Sequence, residues 1–455
     1  MITFVARAPV AVGLNHVFTT GAVAEPAGTT WKLFAIARRT GAVSWSVPID
    51  SPQLESIAPP VIDDRTKSVY VAGGSTLFCI AVDAPTVRWS LELSNPIVNA
   101  CSVVARHWRG PGVLFLTDYD GFGDSASLYA IGIDPISASN PHAPGEIRWS
   151  VPIGAASGNS PTFDAQRDRV YVSAVGRYAT EPGKILAFPA HAPAAPAPVW
   201  AFTNPAGYGF FGGIALDQNS DAIYAASYGF YGGTSSGNLV KLKASTGALL
   251  WSTSCNRSGS IPVRLTGDRL ALATGLQGFG TVPSLQVFSA ATGASVWSSH
   301  TRTWTDANHN NQIDAGEFTP AALWNTQPVL STSTGQLAST GGDSTLRLID
   351  LQSVTSSTSP FVVAQSATGI TGSPVVAGSN LYAIGNSGLL AFGAAPAQVD
   401  VNGDAIFDIE DLYAWEQGRG QRDVNGDGQI TSADRELLSS VLRANEMQEQ
   451  TEGRR

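Results

Sequence analysis

Near the C-terminus of the chain, oxygen-bearing side chains recur at the spacing that a calcium ion requires from a short loop. The two loops begin at Asp400 and Asp423, and therefore lie 23 residues apart. Positions 1, 3, 5, 9 and 12 carry carboxylate, amide or hydroxyl oxygens, and position 7 supplies a backbone carbonyl. The predicted ligands are Asp400, Asn402, Asp404, Ile406, Asp408 and Asp411 in the first loop, and Asp423, Asn425, Asp427, Gln429, Thr431 and Asp434 in the second.

A third loop with the same spacing lies in the middle of the chain. Asn311 occupies its position 6, where asparagine tolerates the left-handed conformation better than most residues. Pro320 follows and prevents a long helix from leaving the loop. We expect a calcium loop inserted over residues 303–320 in the rim of a larger domain, the alternative being a polar turn without metal. The predicted ligands are Asp306, Asn308, Asn310, Gln312, Asp314 and Glu317.

The phrase Asp-Val-Asn-Gly-Asp, which opens both C-terminal loops, resembles the type I dockerins over residues 400 to about 445. The resemblance implies two EF-hand-like loop–helix units that attach a secreted protein to a cohesin partner. The sequence departs from the dockerin pattern in two ways. The spacing between the loops is short and leaves little room for a first helix. Ala405 stands where the tight turn prefers glycine, so the first loop is expected to bind calcium more weakly than the second.

Positions 10 and 11 of each loop tend to face the partner in dockerins. In this sequence they are Ile409 and Glu410 in the first loop, and Ser432 and Ala433 in the second. The two pairs differ, so the two halves of the module are not expected to bind the same partner equally. The alternative is a calcium-stabilised cap with no partner.

The charge of the chain is concentrated in this C-terminal module. The formal net charge is −9, and residues 400–455 contain 13 acidic residues against 6 arginines, a net of −7. The remaining chain carries only −2, so neither a nucleic-acid partner nor a membrane-surface role is predicted. No apolar stretch reaches the length of a membrane-spanning helix.

The cysteines and the N-terminus bear on the compartment. Three cysteines, Cys79, Cys101 and Cys255, form no even-numbered disulfide framework. The apolar run after Met1 is too short for an export signal. Because the dockerin resemblance implies export, we expect an extracellular or cell-surface protein whose natural N-terminus lies upstream of Met1.

The chain before residue 400 repeats a unit that ends in Thr-Gly-x-x-x-Trp or a looser version of it. The repeats end at Trp45, Trp89, Trp149, Trp200, Trp251 and Trp297, with intervals of 44, 60, 51, 51 and 46 residues. Short alternating segments precede each tryptophan, such as Leu77–Ile80 and Arg169–Val172. Four short strands per unit, separated by turn residues, indicate the blade of a β-propeller.

This repeat resembles that of the pyrroloquinoline-quinone (PQQ) propellers, in which the Thr-Gly-x-x-x-Trp turn docks each blade on its neighbour. With Phe361 in the tryptophan place of one further copy and Ile2–Val5 completing the last blade, we predict eight blades; seven is the alternative. The predicted fold is an all-β propeller over residues 1–395, a small α-helical dockerin-like domain over 396–446 and a polar tail over 447–455.

The sequence offers little to an enzyme. A quinone dehydrogenase of this family would need two adjacent cysteines, which are absent, so no PQQ is expected. The acids of residues 118–124 lie in a turn-rich segment, where a solvated loop is favoured over a glycosidase carboxylate pair. The aromatic, glycine-rich loops 207–213 and 228–233 can stack on sugar rings, although burial between blades is favoured.

We therefore expect an extracellular, non-catalytic binding or scaffold propeller, anchored to a cohesin-type partner by a calcium-dependent module, with calcium as its structural cofactor. The propeller face is expected to bind a protein or a glycan. The alternatives are a carbohydrate-active enzyme (a glycosidase or polysaccharide lyase), a PQQ-dependent dehydrogenase, and a scaffold propeller for envelope assembly.

Overall fold

The structure of the protein is a computed structural model. It describes residues 2–4, 9–26, 28–51, 58–99, 102–107, 110–121, 123–156, 158–177, 181–229, 236–275, 283–299, 326–332, 334–351, 354, 361–366, 369–378, 380–392, 401–402, 409–420, 422–424, 429–439 and 442. The chain divides into two compact units, the first comprising Met1–Val376 and Tyr382–Leu390 and the second Ala377–Leu381 and Ala391–Arg455.

Antiparallel sheets follow one another along the chain, and the first four are made as follows. Sheet 1 comprises β1 (Ile2–Phe4), β2 (Ala11–Val12), β3 (His16–Glu25), β4 (Gly28–Ala37) and β5 (Val43–Pro48). Sheet 2 comprises β6 (Val61–Asp63), β7 (Ser68–Gly73), β8 (Thr76–Ala81) and β9 (Val87–Glu92). Sheet 3 comprises β10 (Val103–His107), β11 (Gly110–Thr117), β12 (Ala126–Gly132) and β13 (Ile147–Gly154). Sheet 4 comprises β14 (Thr162–Asp164), β15 (Arg169–Ala174), β16 (Lys184–Pro189) and β17 (Trp200–Thr203).

The last four sheets repeat the same order. Sheet 5 comprises β18 (Ala215–Asp217), β19 (Ala222–Ala226), β20 (Ser236–Lys243) and β21 (Leu249–Asn256). Sheet 6 comprises β22 (Val263–Arg264), β23 (Leu270–Thr274), β24 (Ser284–Phe288) and β25 (Ser295–Ser298). Sheet 7 comprises β26 (Val329–Leu330), β27 (Leu337–Thr340), β28 (Leu346–Asp350) and β29 (Phe361–Gln365). Sheet 8 comprises β30 (Val375–Ala377), β31 (Asn380–Gly385) and β32 (Gly388–Phe392).

These sheets are the blades of a propeller, and the prediction of eight blades is confirmed. The first strands of successive blades, from β2 through β6, β10, β14 and β18 to β22, contact one another in chain order. The second and third strands are the most buried; β11, β19 and β23 show runs of fully buried residues. The core therefore lies between the faces of neighbouring blades, as expected where both faces of a sheet are covered.

The glycine of the repeat motif docks one blade on the next. Gly247 has a φ of +73°, and a Cβ built on it would lie 2.5 Å from the Trp200 ring of the preceding blade. Gly293 approaches Trp251 in the same way, with a corresponding distance of 2.8 Å. Only glycine fits where the backbone is left-handed and also lies directly against an indole. At these joints the motif thus packs a blade against the tryptophan of the preceding one.

Ion pairs connect the inner strands of neighbouring blades. Asp63, the last residue of β6, binds Arg106 on β10 of the next blade. Asp217, the last residue of β18, pairs with Arg264 on β22 at 3.2 Å. Each of these aspartates also accepts a backbone N–H from the turn that follows it, as an Asx turn does. The same side chain therefore closes a turn and joins two blades.

The ring closes differently from the prediction. We expected Ile2–Val5 to complete the last blade, but β1 pairs with β3 of the first blade, with Ile2 opposite Val23 and Phe4 opposite Gly21. The reason is that β3 extends well beyond the two residues that pair with β2 and offers β1 an open edge. Between the first and last blades, Arg38 donates a hydrogen bond of 3.2 Å to the Tyr382 hydroxyl and lies over its ring.

The register also corrects one residue of the repeat. In blade 2, Trp89 pairs with Cys79, the residue that precedes a bulge in β8. The corresponding pair in blade 7 is Leu348 with Ala364, whereas Phe361 pairs with Asp350. The prediction that Phe361 takes the tryptophan place was therefore wrong, because it relied on an aromatic side chain rather than on strand register.

The second unit contains two short helices, α1 (Ile409–Glu416) and α2 (432–439). Five buried residues, Val401, Trp415, Val424, Leu438 and Leu442, form its apolar core. The brevity of α1 agrees with the short spacing between the loops. No helix in the described part of the chain is long and apolar enough to cross a membrane.

Candidate functional site

The carboxylate at position 12 of the first loop lies inside the second unit. Asp411 is 0% exposed, although it belongs to the first turn of α1. Its Oδ1 accepts hydrogen bonds from the backbone N–H of Val401 at 2.7 Å and of Asn402 at 3.2 Å. Val401 is itself buried, so position 12 fixes the start of its own loop against the core.

The second loop repeats this arrangement. Asp434 is also 0% exposed, and its Oδ1 accepts the N–H of Val424 at 2.8 Å. Its Oδ2 accepts the N–H of Thr431 at 2.7 Å. Val424 stands at position 2, as Val401 does in the first loop. The sequence duplication is therefore also a duplication of structure, with a buried aspartate closing each loop.

Other predicted ligands are distributed unevenly. Among those described, Asn402, Gln429 and Thr431 are exposed and Asp423 is half-buried. Outside the described residues lie Asp400, Asp404, Ile406, Asp408, Asn425 and Asp427 of the paired loops, and Asp306, Asn308, Asn310, Gln312, Asp314 and Glu317 of the middle loop. Within the described part, no three His, Cys, Asp or Glu side chains converge as a metal cluster.

The donor set nevertheless fits a hard cation. Carboxylate, amide and hydroxyl side chains, together with the carbonyl of Gln429, are the oxygen ligands that calcium prefers. Asp411 and Asp434 bring a carboxylate to each loop in a buried position, where an ion of opposite charge offsets the cost of burial. When bound, calcium would join the two ends of each loop through these oxygens.

Contacts between the two repeats hold the module together. The Trp415 indole N–H donates to the backbone carbonyl of Arg422 at 2.8 Å, and the Arg422 guanidinium lies 4.8 Å from the Trp415 ring centre. Glu416 of the first helix pairs with Arg435 of the second at 2.6 Å. The loop and helix of one repeat are therefore positioned by the other.

The residues predicted to face a partner lie on the surface of this module. Ile409 is 47% exposed, and Glu410, Ser432 and Ala433 are exposed as well. Tyr413, one turn after Ile409 on α1, is 51% exposed. One half of the module thus presents large apolar groups and the other small ones.

The aromatic loops of the propeller mainly contribute to its core. Phe210 and Tyr228 are fully buried, and Phe211 contacts the Tyr228 ring edge-on with ring centres 4.9 Å apart. The Arg257 guanidinium lies over the Tyr228 ring, 5.0 Å from the ring centre. Burial, rather than stacking on a sugar, accounts for these rings; Tyr208 is half-buried, and residues 230–233 lie outside the described residues.

The acidic segment 118–124 is built into its loop. Asp118 is fully buried and accepts hydrogen bonds from the Ser127 N–H at 2.7 Å and the Tyr129 hydroxyl at 3.0 Å. Burial raises the pKa of Asp118, against the effect of these hydrogen bonds. Asp120 accepts the backbone N–H groups of Ser125 and Ala126. Both carboxylates organise the β11–β12 connection.

A central channel of about 250 Å³ runs where the eight blades meet. It is lined by Pro9, Pro59, Asn99, Gly158, Asn159, Ser160, Phe211, Gly212, Gly213, Gly259, Ser260, Ile261, Gln327 and Ser373. This described lining contains no cationic side chain, so it does not fit PQQ, which carries three carboxylates.

Cys79 and Cys255 are buried free thiols on separate blades, and Cys101 lies outside the described residues.

A larger cleft, which the sequence analysis missed, opens between blades 2 and 3 and is called here the 2–3 cleft. Its volume is about 1040 Å³. The lining residues are Arg65, Thr66, Ser68, Tyr70, Cys79, Arg88, Trp89, Gly110, Pro111, Ile133, Asp134, Pro135, Ile136, Ser137, Ser139, Asn140 and Pro144. The signal for it was the interval of 60 residues between Trp89 and Trp149, which contains an insertion between β12 and β13.

Comparison with known proteins supports the propeller. Residues 190–409, slightly less than half of the chain, match the sequence family described as outer membrane protein assembly factor BamB, PQQ-like repeat type. No curated protein matches the chain by sequence.

Solved structures give the same result. BamB from Moraxella catarrhalis is 16% identical, with a TM-score of 0.54 over 86% of this chain and 97% of that one. Sqt1 from Chaetomium thermophilum is 13% identical, with a TM-score of 0.56 over 84% and 92%. The Dos1 propeller is 12% identical, with a TM-score of 0.57 over 86% and 93%. Identities this low establish the fold alone.

Proposed function

We propose that this protein is a non-catalytic binding propeller that is anchored, outside the cell or at its surface, by a calcium-dependent docking module. The observation that carries the proposal is the repeated burial of Asp411 and Asp434, each bonded to the backbone of its own loop. A carboxylate that closes a loop in this way supplies the last ligand of a calcium site. The duplication therefore supports two calcium loops that share one core.

The proposed partner of the module is a cohesin-type protein on a scaffold. Support comes from the exposure of Ile409, Glu410, Ser432 and Ala433, the positions at which dockerins meet their partners. The two halves differ in chemistry, since Ile409 is large and apolar whereas Ser432 and Ala433 are small. One orientation of the module is thus expected to dominate in the complex.

The binding role of the propeller is supported by two further observations. The clustered acids Asp118 and Asp120 accept hydrogen bonds within their own loop, which disfavours them as a glycosidase pair. One structure of the similar protein Sqt1 from Chaetomium thermophilum is bound to the N-terminus of the ribosomal protein L10. For the present chain, we propose a protein or glycan ligand on the propeller and a structural calcium ion in the 303–320 insertion.

The test of the anchoring proposal measures calcium and partner binding by the full-length chain. Calorimetric titration with calcium should show binding that is weakened at least about tenfold by Asp434→Asn, because a bidentate ligand loses its charge. Glu436→Gln, on the exposed side of α2, is the matched control and should bind calcium as the unchanged chain does.

The second arm is retention on an immobilised cohesin. The unchanged chain and Glu436→Gln should be retained in calcium and released by a chelator, whereas Asp434→Asn should be retained poorly. An absence of any calcium-binding heat at millimolar calcium would refute the anchoring role. Calcium binding without retention would instead favour a calcium-stabilised cap.

A further inference from the structure

The 2–3 cleft lies beside Trp89, at the joint between blades 2 and 3. In two other joints the indole N–H of the docking tryptophan donates to the next blade, from Trp200 to the Ala244 carbonyl at 3.0 Å and from Trp251 to the Ala290 carbonyl at 3.2 Å. The indole N–H of Trp89 donates to no described residue, and the same holds for Trp45, Trp149 and Trp297. Gly145 packs on the Trp89 ring as the motif glycines do at those two joints. The half-buried indole of Trp89 also lines the cleft.

The length of one connection contributes to the cleft. Strands β20 and β21 are joined by residues 244–248, which cover Trp200, whereas β12 and β13 are joined by residues 133–146. This longer segment forms a wall of the cleft, with Ile136 65% exposed. The insertion thus adds a wall to a cleft that lies beside the half-buried Trp89.

The charge in the cleft is positive, although the protein as a whole is acidic. Arg65 is exposed and its guanidinium forms no ion pair within the described part of the chain. Arg88 donates to the neutral Ser68 hydroxyl at 2.8 Å and to the Thr66 carbonyl. Two guanidiniums are therefore available to an anion.

The one carboxylate in the described lining of the cleft, that of Asp134, is already engaged. It accepts hydrogen bonds from Arg106 at 2.8 Å and from the Gly112 N–H at 2.7 Å. Arg106 is shared with Asp63, so Asp134 keeps part of its negative charge, but the described lining still holds two guanidiniums, those of Arg65 and Arg88, against this one carboxylate.

The side-chain amide of Asn140 is buried next to the cleft, and its oxygen has no hydrogen-bond donor within the described part of the chain. Asn140 is 2% exposed, and its Nδ2 donates to the carbonyls of Asp134, Pro135 and His142 at 3.0, 3.0 and 3.1 Å. These three bonds fix the orientation of the amide. Asn140 is among the residues that line the cleft, but its Oδ1 is closed to solvent and finds no donor among the described residues. Asn140 therefore holds the β12–β13 connection in place and is not assigned a contact with a ligand.

We propose that the 2–3 cleft binds an acidic sugar, specifically a short oligosaccharide of uronic acids. The sugar carboxylate matches the guanidiniums of Arg65 and Arg88, and the part of the Trp89 indole that lines the cleft offers apolar surface to a pyranose. The volume is at the upper end of the range for small-molecule sites and suits a few sugar units. The ligand adds to the binding propeller proposed above and involves no residue of the calcium module.

The experiment titrates the full-length chain with trigalacturonate, with the neutral galactotriose and with an acidic peptide of Asp and Glu. Binding of trigalacturonate, weakened by added salt and not shared by galactotriose, is expected. Arg65→Gln should weaken it about fivefold, because an exposed charge contributes modestly. Arg39→Gln, at an exposed arginine in the β4–β5 turn of blade 1, should leave the affinity unchanged.

Three results would overturn the inference: no binding of trigalacturonate, equal losses in Arg65→Gln and Arg39→Gln, or tighter binding of the acidic peptide. Arg65 is exposed, so its substitution is not expected to disturb folding, and circular dichroism of each variant checks this. The calcium titration of the same preparations is an independent readout. Failure of sugar binding with intact calcium binding would leave the anchoring proposal standing.

Discussion

Asp134 anchors the β12–β13 connection that forms a wall of the 2–3 cleft. Burial opposes its ionisation, but the Gly112 N–H and the Arg106 guanidinium together hold the pKa of Asp134 below its usual value. A carboxyl with a lowered folded pKa binds fewer protons folded than unfolded. Its contribution to stability is therefore complete above the ordinary carboxyl pKa and is lost as pH falls through the folded value.

We predict that Asp134→Asn lowers the free energy of unfolding at pH 7 by about 1 kcal/mol, a value reduced for solvent screening. The difference from the unchanged chain should shrink at an acidic pH below the ordinary carboxyl pKa, as Asp134 itself becomes protonated. Urea denaturation at both pH values measures it, with the exposed Asp83→Asn as the control for a lost surface charge. A difference that is equal at the two pH values would contradict the assignment.

Residue spacing identified the closing carboxylates Asp411 and Asp434, because a calcium loop is a local pattern in the sequence. The residues of the 2–3 cleft could not be found in this way. Arg65, Arg88 and Asn140 come from two blades and converge only through the packing of those blades. The sequence did indicate the insertion beside Trp89, but not the chemistry around it.

At the scale of elements, the joint between blades depends on a backbone that approaches an indole. Gly247 and Gly41 occupy the same place in the repeat and have similar φ values, +73° and +71°. A Cβ on Gly247 would meet Trp200 at 2.5 Å, whereas a Cβ on Gly41 meets no atom within 4 Å among the described residues. A comparison of alanine substitutions at these two glycines therefore distinguishes the cost of backbone strain from the cost of a steric clash with the indole.

Gly41→Ala should therefore cost about 1 kcal/mol of stability from the left-handed backbone alone. Gly247→Ala should cost about 1–3 kcal/mol more, because the added methyl group forces blades 4 and 5 apart. Chemical denaturation of the two variants measures both values. Equal losses would mean that the contact between Gly247 and Trp200 contributes nothing to stability.

Strand periodicity and the Thr-Gly-x-x-x-Trp motif were sufficient to predict four-stranded blades and their docking. They were not sufficient for blade 7, where Phe361 was assigned by its aromatic side chain and the register places Ala364 there. The motif identifies the position of a blade only where its tryptophan is present. Once that residue has been replaced, the register is set by hydrogen bonds that a linear pattern does not contain.

For the whole molecule, calcium removal should separate the behaviour of the two units. Bound calcium stabilises the unit that binds it by RT ln(1 + [L]/Kd). We predict that a chelator increases amide hydrogen exchange in α1 and α2, while the central strands β11, β12 and β23 keep their protection. Adding calcium back should restore protection and magnesium should not. Unchanged exchange in α1 and α2 would contradict a structural role for calcium.

The number of blades followed from counting repeats, but the closure of the ring did not. The prediction placed Ile2–Val5 in the last blade because that blade ran out of strands. Two other features decided the outcome, the open outer half of β3 and the hydrogen bond from Arg38 to Tyr382. The length of β3 and the contact between Arg38 and Tyr382 are properties of the folded ring, and a count of repeats does not contain them.

That closure has a mechanical consequence. The described contact between the first and last blades is made by side chains, and blade 8 precedes α1 and α2 in the chain. If the second unit is anchored as proposed, tension would reach β32 along the polypeptide before any other strand. The joint between the first and last blades would then separate by breaking side-chain contacts, since the described strands of these two blades share no backbone ladder.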